Sequence, residues 1–250
     1  MKKLLIISLL LVTALSTQAQ NNSDKNSISS RPDLTGDLTL SFGLNLLNRD
    51  VNNLYDLKLT GSNSFSVGYM YPVNLGNSNF TFNGGLTLSF DKYAFNPDSA
   101  RTLQFYPADE TSNLTSRTEI VPIGEDIVGS GVVTKSKFES TYLNLPVEFR
   151  YYYNKNKKGK GLYLAAGASI GYLVNGKTKI KYVENEETKK IKRKESFELN
   201  QFRYGAHARI GIAGFGAFFQ YDFSELFNPG KGPQNKTVTP ARFGLSFNLF

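Results

Sequence analysis

Residues 141–153 read TYLNLPVEFRYYY, and alternate positions belong to two different surroundings. Leu143, Leu145, Val147, Phe149, Tyr151 and Tyr153 form one apolar series, while Asn144, Pro146, Glu148, Arg150 and Tyr152 form the other. A period of two is the mark of a strand with unlike faces. Seven further segments repeat it, at 34–47, 64–71, 80–90, 162–174, 200–212, 215–223 and 241–250. The connections between the eight are long and short in turn. Barrels of the outer-membrane type sort their connections in this way, with short turns at one end and long loops at the other. The expected fold is therefore all-β: an eight-stranded antiparallel up-and-down transmembrane β-barrel. Its long external loops are expected at 91–137 and 175–196.

A soluble barrel would alternate too, so the orientation of the faces has to be fixed separately. The less apolar face carries Gly43, Gly68, Gly85, Gly167, Gly171, Gly205, Gly211, Gly216 and Gly244. Small residues suit the crowded interior of an eight-stranded barrel. Aromatic residues gather toward the strand ends, Tyr71, Phe80, Tyr151, Tyr153, Phe215 and Phe247 at one rim and Phe90, Tyr172, Phe202, Tyr221 and Phe223 at the other. That is the placement of two interfacial girdles. Arg150, Arg203, Arg209 and Arg242 share the glycine face. Each would cost roughly 2–4 kcal/mol facing lipid at mid-bilayer, and the four together would consume a stability comparable with that of a whole domain. They must point inward, and the leucine-rich face must touch lipid.

The chain opens with MKKLLIISLLLVTALSTQAQ, a positive start, a short apolar run and a small-residue cleavage site, which reads as a signal peptide over 1–20. A flexible lead is expected over 21–32 and the barrel over 33–250. The hydrophobic fraction is 40% and the mean hydropathy −0.31. The longest apolar run after the leader, Leu162–Val174, has 13 residues and is too short for a helical span of about 20, but a barrel is polar at every second residue and escapes such measures. There is no cysteine, so no disulfide, lipidated cysteine or thiolate metal site is expected. The formal charge of +8 falls by two, to +6, once Lys2 and Lys3 are removed. Much of the excess sits in NKNKKGK (154–160) and GKTKIKYVENEETKKIKRK (176–194). Nucleic acid is a poor partner for an exported chain. Lipopolysaccharide phosphates are the nearest dense anions outside such a cell, and Lys189, Lys190, Lys192, Arg193 and Lys194 are candidate contacts, with the strands continuing above the membrane as a hairpin tipped by ENEET.

YLNLPVEFRYYY and GLYLAAGASIGYLV together resemble consecutive strands of the Bacteroidetes-type outer-membrane β-barrel family, also labelled PorT-like or "porin family". The QAQ at the end of the leader and the terminal Phe250 are similar as well. The resemblance implies an eight-stranded barrel, integral to the outer membrane, with both termini in the periplasm and with outer-membrane lipid as its surroundings. The last segment, RFGLSFNL, also resembles the C-terminal signal read by the outer-membrane assembly machinery, through Arg242, Gly244, Phe247, Leu249 and Phe250.

Little in the chain suggests catalysis. His207 is the one histidine, and no metal constellation or cofactor motif accompanies it, so no cofactor is expected. Ser169 and Ser246 share its face, which leaves a lipid-modifying enzyme as the least favoured reading. A narrow passive channel ranks above it. The leading expectation is a non-enzymatic barrel that presents surface loops for interaction or serves an envelope or export assembly. Its lumen would be closed by ion pairs among Asp37, Glu148, Arg150, Arg203, His207, Arg209, Asp222 and Arg242. By strand order Asp222 should pair with Arg242, and Glu148 with Arg209. Protein partners and oligomeric state are not legible.

Overall fold

The computed structural model describes residues 36–249 apart from 48–51, 110, 112–113 and 159–160. The segments expected to be a signal peptide (1–20) and a flexible lead (21–32), and Phe250, lie outside the described residues. Eleven strands are found among those described: β1 (Asp37–Leu47), β2 (Asn63–Asn74), β3 (Phe80–Phe95), β4 (Arg101–Tyr106), β5 (Arg117–Pro122), β6 (Val132–Tyr152), β7 (Tyr163–Glu184), β8 (Glu187–Lys194), β9 (Phe202–Ile212), β10 (Phe215–Asp222) and β11 (Pro240–Asn248). Eight of them follow one another around a closed antiparallel barrel in the order β6-β3-β2-β1-β11-β10-β9-β7, with β7 pairing back to β6. The first and last strands form the closing seam, from Thr39 opposite Asn248 to Leu47 opposite Pro240.

The outward side chains are apolar and bare. Leu145, Phe149, Leu164, Ile170, Tyr204, Ile210, Phe219 and Leu245 each expose half or more of their surface. A continuous apolar belt around every strand is untenable in water and is what a transmembrane barrel shows to lipid. Cross-strand aromatic pairs border it, Phe80 with Tyr151 at 5.1 Å and Phe215 with Phe247 at 5.3 Å toward one end, and Tyr172 with Phe202 at 5.4 Å toward the other.

Two local devices shape the wall. Ala213 and Gly214 join β9 to β10 with φ of 50° and 85°. Positive φ at both positions is the two-residue hairpin whose twist matches that of the strands, and glycine adopts it without strain. Pro146 pairs with Ser169 of β7, but the ladder toward β3 skips from Val147–Gly84 to Asn144–Thr87. Proline has no N–H to donate, so the strand tolerates it only where pairing lapses, and the register resumes unshifted.

The strands are unequal. A span needs about 9–11 residues, and β1 and β9 have 11 each, whereas β6 has 21 and β7 has 22. The surplus of β3, β6 and β7 rises at one end of the barrel, and there the apolar face turns inward. In β6 the outward series passes from Leu143 through Thr141 to Glu139, Lys137 and Lys135, while the inward series passes from Glu148 and Arg150 to Tyr142 and Phe138. The segment 91–137 is therefore more than one loop: β3 enters it to Phe95, β6 begins at Val132, and β4 and β5 form a separate two-stranded sheet between them. Likewise β7 and β8 form a hairpin across most of 175–196. Above the lipid the strands stand in water, so the same strand needs its apolar side chains inside.

The connections at this end fill the mouth. Tyr55, Tyr93, Phe95, Leu103, Phe138 and Phe197 are each about 1% exposed and pack with Leu199, Phe227 and Val238 in one apolar cluster. It draws residues from all four long connections, and isolated bridges from Leu57 to Phe95 and from Leu199 to Phe227 tie them down. Burial drives the Tyr55 phenol well above its ordinary pKa, as expected of a ring used for packing.

Candidate functional site: the charged lumen and the basic hairpin

Inside the lipid-facing belt, the lumen carries two clusters of charge. The one nearer the short turns joins Asp37 of β1, Glu148 and Arg150 of β6, and His207 and Arg209 of β9. Arg150 is 1% exposed and ion-pairs with both Glu148 and Asp37. Its guanidinium lies 5.3 Å from the centroid of the Tyr163 ring. His207 Nε2 sits 3.2 Å from Glu148 Oε2. The contact is possible because Gly167 lies between them in register, Glu148 opposite Gly167 and Gly167 opposite His207. A Cβ on Gly167 would fall 2.1 Å from the Val147 carbonyl oxygen and 2.7 Å from Glu148 Cβ.

The sequence-based pairing of Glu148 with Arg209 needs correction. The direct partner of Glu148 is Arg150, two residues along its own strand and on the same face, with His207 as the second. Arg209 lines the lumen alongside His207, and its Nε and Nη1 have no hydrogen-bond partner among the described residues.

The second cluster, nearer the apolar mouth, alternates in sign as Arg203, Asp91, Arg242, Asp222. Arg203 Nη1 lies 2.6 Å from Asp91 Oδ2, and its Nε donates to Asn144 Oδ1 at 2.9 Å. Its guanidinium covers the Tyr142 ring at 4.1 Å. Arg242 Nε is 3.2 Å from Asp91 Oδ1, and Arg242 forms a two-point ion pair with Asp222. Asp91 is 1% exposed and stands at the centre of this chain of charges. Sequence reasoning placed Asp91 at the start of a loop and missed it. Across both clusters, Asp37, Asp91, Glu148 and Asp222 face Arg150, Arg203, Arg209 and Arg242, so the charges balance one to one. A cavity of about 70 Å³ separates them, lined by Ser41, Ser66, Met70, His207, Arg209 and Phe218 among others. That is room for a few waters, which would serve the open donors of Arg209.

As to chemistry, His207 is held by Glu148, and Ser246 Oγ makes no hydrogen bond in the described structure. Among the described residues, no group of three or more acidic, His or Cys side chains is placed to hold a metal ion. In the last strand Arg242 and Gly244 face the lumen, while Phe247 and Leu249 lie on the lipid side; Phe250 is outside the described residues. The five basic residues singled out near 189–194 divide between two faces of β8. Lys190, Lys192 and Lys194 pair across to Lys181, Lys179 and Lys177, whereas Lys189 and Arg193 lie opposite Tyr182 and Thr178 on the other face. Lys189 is bound to Glu184 at 2.7 Å.

A closed barrel with a lipid-facing belt and a packed polar lumen defines an integral membrane β-barrel. The family profile described as "outer membrane protein beta-barrel domain" matches residues 18–227, so the chain belongs to that family and is an outer-membrane protein. Among solved structures, the chain is similar to Ail, the attachment invasion locus protein of Yersinia pestis, at 13% identity and a TM-score of 0.35, over 85% of this chain and 95% of that one. A second structure of Ail, in complex with the heparin analogue sucrose octasulfate, matches at 14% identity and a TM-score of 0.32, over 86% and 98%. A mutant porin of Rh. blastica matches at 10% identity and a TM-score of 0.21, over 86% and 99%. With TM-scores this low, the barrel assignment stands on the strands and the family profile. Among curated proteins, no sequence matches.

Proposed function

We propose that this outer-membrane barrel is a non-enzymatic, closed scaffold. It presents its raised end at the cell surface for interaction or within an envelope or export assembly, and both termini lie in the periplasm. The observation that carries the reading is the filling of the bore. Two balanced ion-pair clusters occupy the lumen, and above them the apolar cluster around Tyr93, Phe95 and Phe138 occupies the mouth. Eight strands leave a bore only wide enough for side chains, and buried charges persist when they are paired. Purified folded protein in a planar bilayer is expected to give no steady conductance steps. Stable single-channel openings from the folded, heat-modifiable form would defeat the closed-scaffold reading.

The orientation has its own test. The chain lacks cysteine, so an introduced one is a unique label. Asn185→Cys, at the tip between β7 and β8, is expected to react on intact cells with a membrane-impermeant maleimide. Asn156→Cys, in the short β6–β7 turn, is expected to react only after lysis. The opposite pattern would invert the barrel.

A further inference from the structure

Where β6, β7 and β8 rise above the lipid belt, their outward faces form a grid of cations. Three rows run across the three strands: Lys135, Lys181 and Lys190; Lys137, Lys179 and Lys192; and Glu139, Lys177 and Lys194. Eight of the nine positions are lysine. Neighbouring strands stand about 4.8 Å apart and rows two residues apart are separated by about 7 Å. Like charges directly opposite one another destabilise a sheet, so the arrangement opposes the hairpin that displays it. Glu139 relieves part of it, ion-pairing with Lys137 and, at 2.6 Å, with Lys177. Burial alone would raise the Glu139 carboxyl, but hydrogen bonds from these two lysines hold it below the usual range. Lys135, Lys179, Lys181, Lys190, Lys192 and Lys194 have no ion pair among the described residues. Partial desolvation, followed by the ammonium groups of Lys137, Lys192 and Lys190, holds Lys179 below the ordinary lysine range. Six ammonium groups on this face are therefore left without a carboxylate partner among the described residues.

Its position says which anions. In β6 the column Lys135, Lys137, Glu139 continues without a break in parity into Thr141, Leu143 and Leu145, which face lipid. In β7 the register shift opposite Thr141–Tyr142 brings Lys177, Lys179 and Lys181 onto that same outward face. The grid therefore looks sideways, directly above the hydrocarbon belt, and its three rows climb about 13 Å from there. This is the height of the polar headgroup layer and the sugars immediately above it. An anion tethered in the surrounding leaflet meets the grid at that level, whereas a soluble polymer would approach from above.

We propose that this face binds the phosphate groups of lipopolysaccharide molecules packed against the barrel. The proposal deepens the scaffold reading and rests on its orientation. Each lysine near such a surface contributes a modest attraction that salt weakens, so the strength lies in their number.

The test uses the folded full chain in nanodiscs containing lipid A with both phosphates or lipid A with the phosphates removed. The readout is the lipid A retained per barrel in competition with a neutral phospholipid. Preference for the phosphorylated form is expected to be about tenfold or more at low salt, and to collapse in the combined Lys179→Gln, Lys181→Gln, Lys190→Gln, Lys192→Gln variant. Lys155→Gln with Lys158→Gln, at the opposite end, is expected to leave it unchanged. Should the fourfold variant lose the heat-modifiable folded form, Lys181→Gln with Lys190→Gln makes the same comparison with a smaller loss. Equal retention of the two lipids, or an unaltered preference in the lysine variants, would overturn the proposal. So would tighter binding of a soluble sulfated polysaccharide at the same lysines, which would assign the face to a polysaccharide. Failure of Asn185→Cys to label on cells, with binding in nanodiscs intact, would refute the surface orientation and leave the lipid chemistry standing.

Discussion

Gly244→Val is expected to abolish the folded barrel. Gly244 lies in β11 at the seam where the last strand meets the first, opposite Gly43. A Cβ there would fall 2.0 Å from the Phe42 carbonyl oxygen and 2.4 Å from Gly43 Cα. Both obstacles are backbone, so no rotamer change relieves them, and β1 and β11 would have to part. The space above the two glycines is also taken, because Phe218 pairs in register with Gly244 and its Cζ lies 3.0 Å from where a Gly43 Cβ would stand. The loss should exceed about 4 kcal/mol, at the extreme of single substitutions, and should appear as disappearance of the heat-modifiable band after refolding into vesicles. Gly84→Ala is the matched control. It lies in β3 with nothing within 4 Å of its would-be Cβ, and it should change stability by less than about 0.5 kcal/mol. A folded Gly244→Val barrel of wild-type stability would show that the seam is not packed as described.

Asp91→Ala is expected to cost about 3–5 kcal/mol, the penalty for removing one partner of a buried ion pair. The carboxylate bridges Arg203 and Arg242, and without it Arg203 keeps only neutral partners, Asn144 and Ser89. Urea unfolding in lipid vesicles can report the loss through tyrosine fluorescence, as the chain has no tryptophan. Adding Arg203→Met should restore most of the lost stability, since a well-packed apolar pair often replaces a buried ion pair without penalty. A loss below about 1 kcal/mol for Asp91→Ala would place that carboxylate in contact with water instead.

The oversight of Asp91 has a physical cause. The eight strands were legible because lipid imposes one rule, apolar outward at every second residue, and Leu143 to Phe149 or Leu162 to Ile170 obey it. The rule holds only as far as lipid does. Past Phe90 the outward residue is Lys92 and the inward ones are Tyr93 and Phe95, so the alternation continues with its sign reversed and looks like the end of a strand. In β7 the register shift near Val174 changes parity as well. The mouth cluster was hidden for a further reason: Tyr55, Leu103, Phe197, Phe227 and Val238 are scattered through four connections with no period. The Glu148–Arg150 pair was within reach, since residues two apart on one strand share a face, but reasoning across the bore passed over the nearer neighbour.

Under the proposed orientation, the apolar cluster at the mouth would also bear on how that end meets a partner. Four connections that could have been slack tethers are instead seated on a shared core in which Tyr55, Leu103, Phe197, Phe227 and Val238 are sealed. A partner docking there would encounter a preorganised relief and would be spared most of the entropy otherwise lost in ordering loops. Such a surface favours slow dissociation over adaptability, and changes at the tips of β8 or of the β4–β5 sheet could alter what is recognised without disturbing the wall beneath.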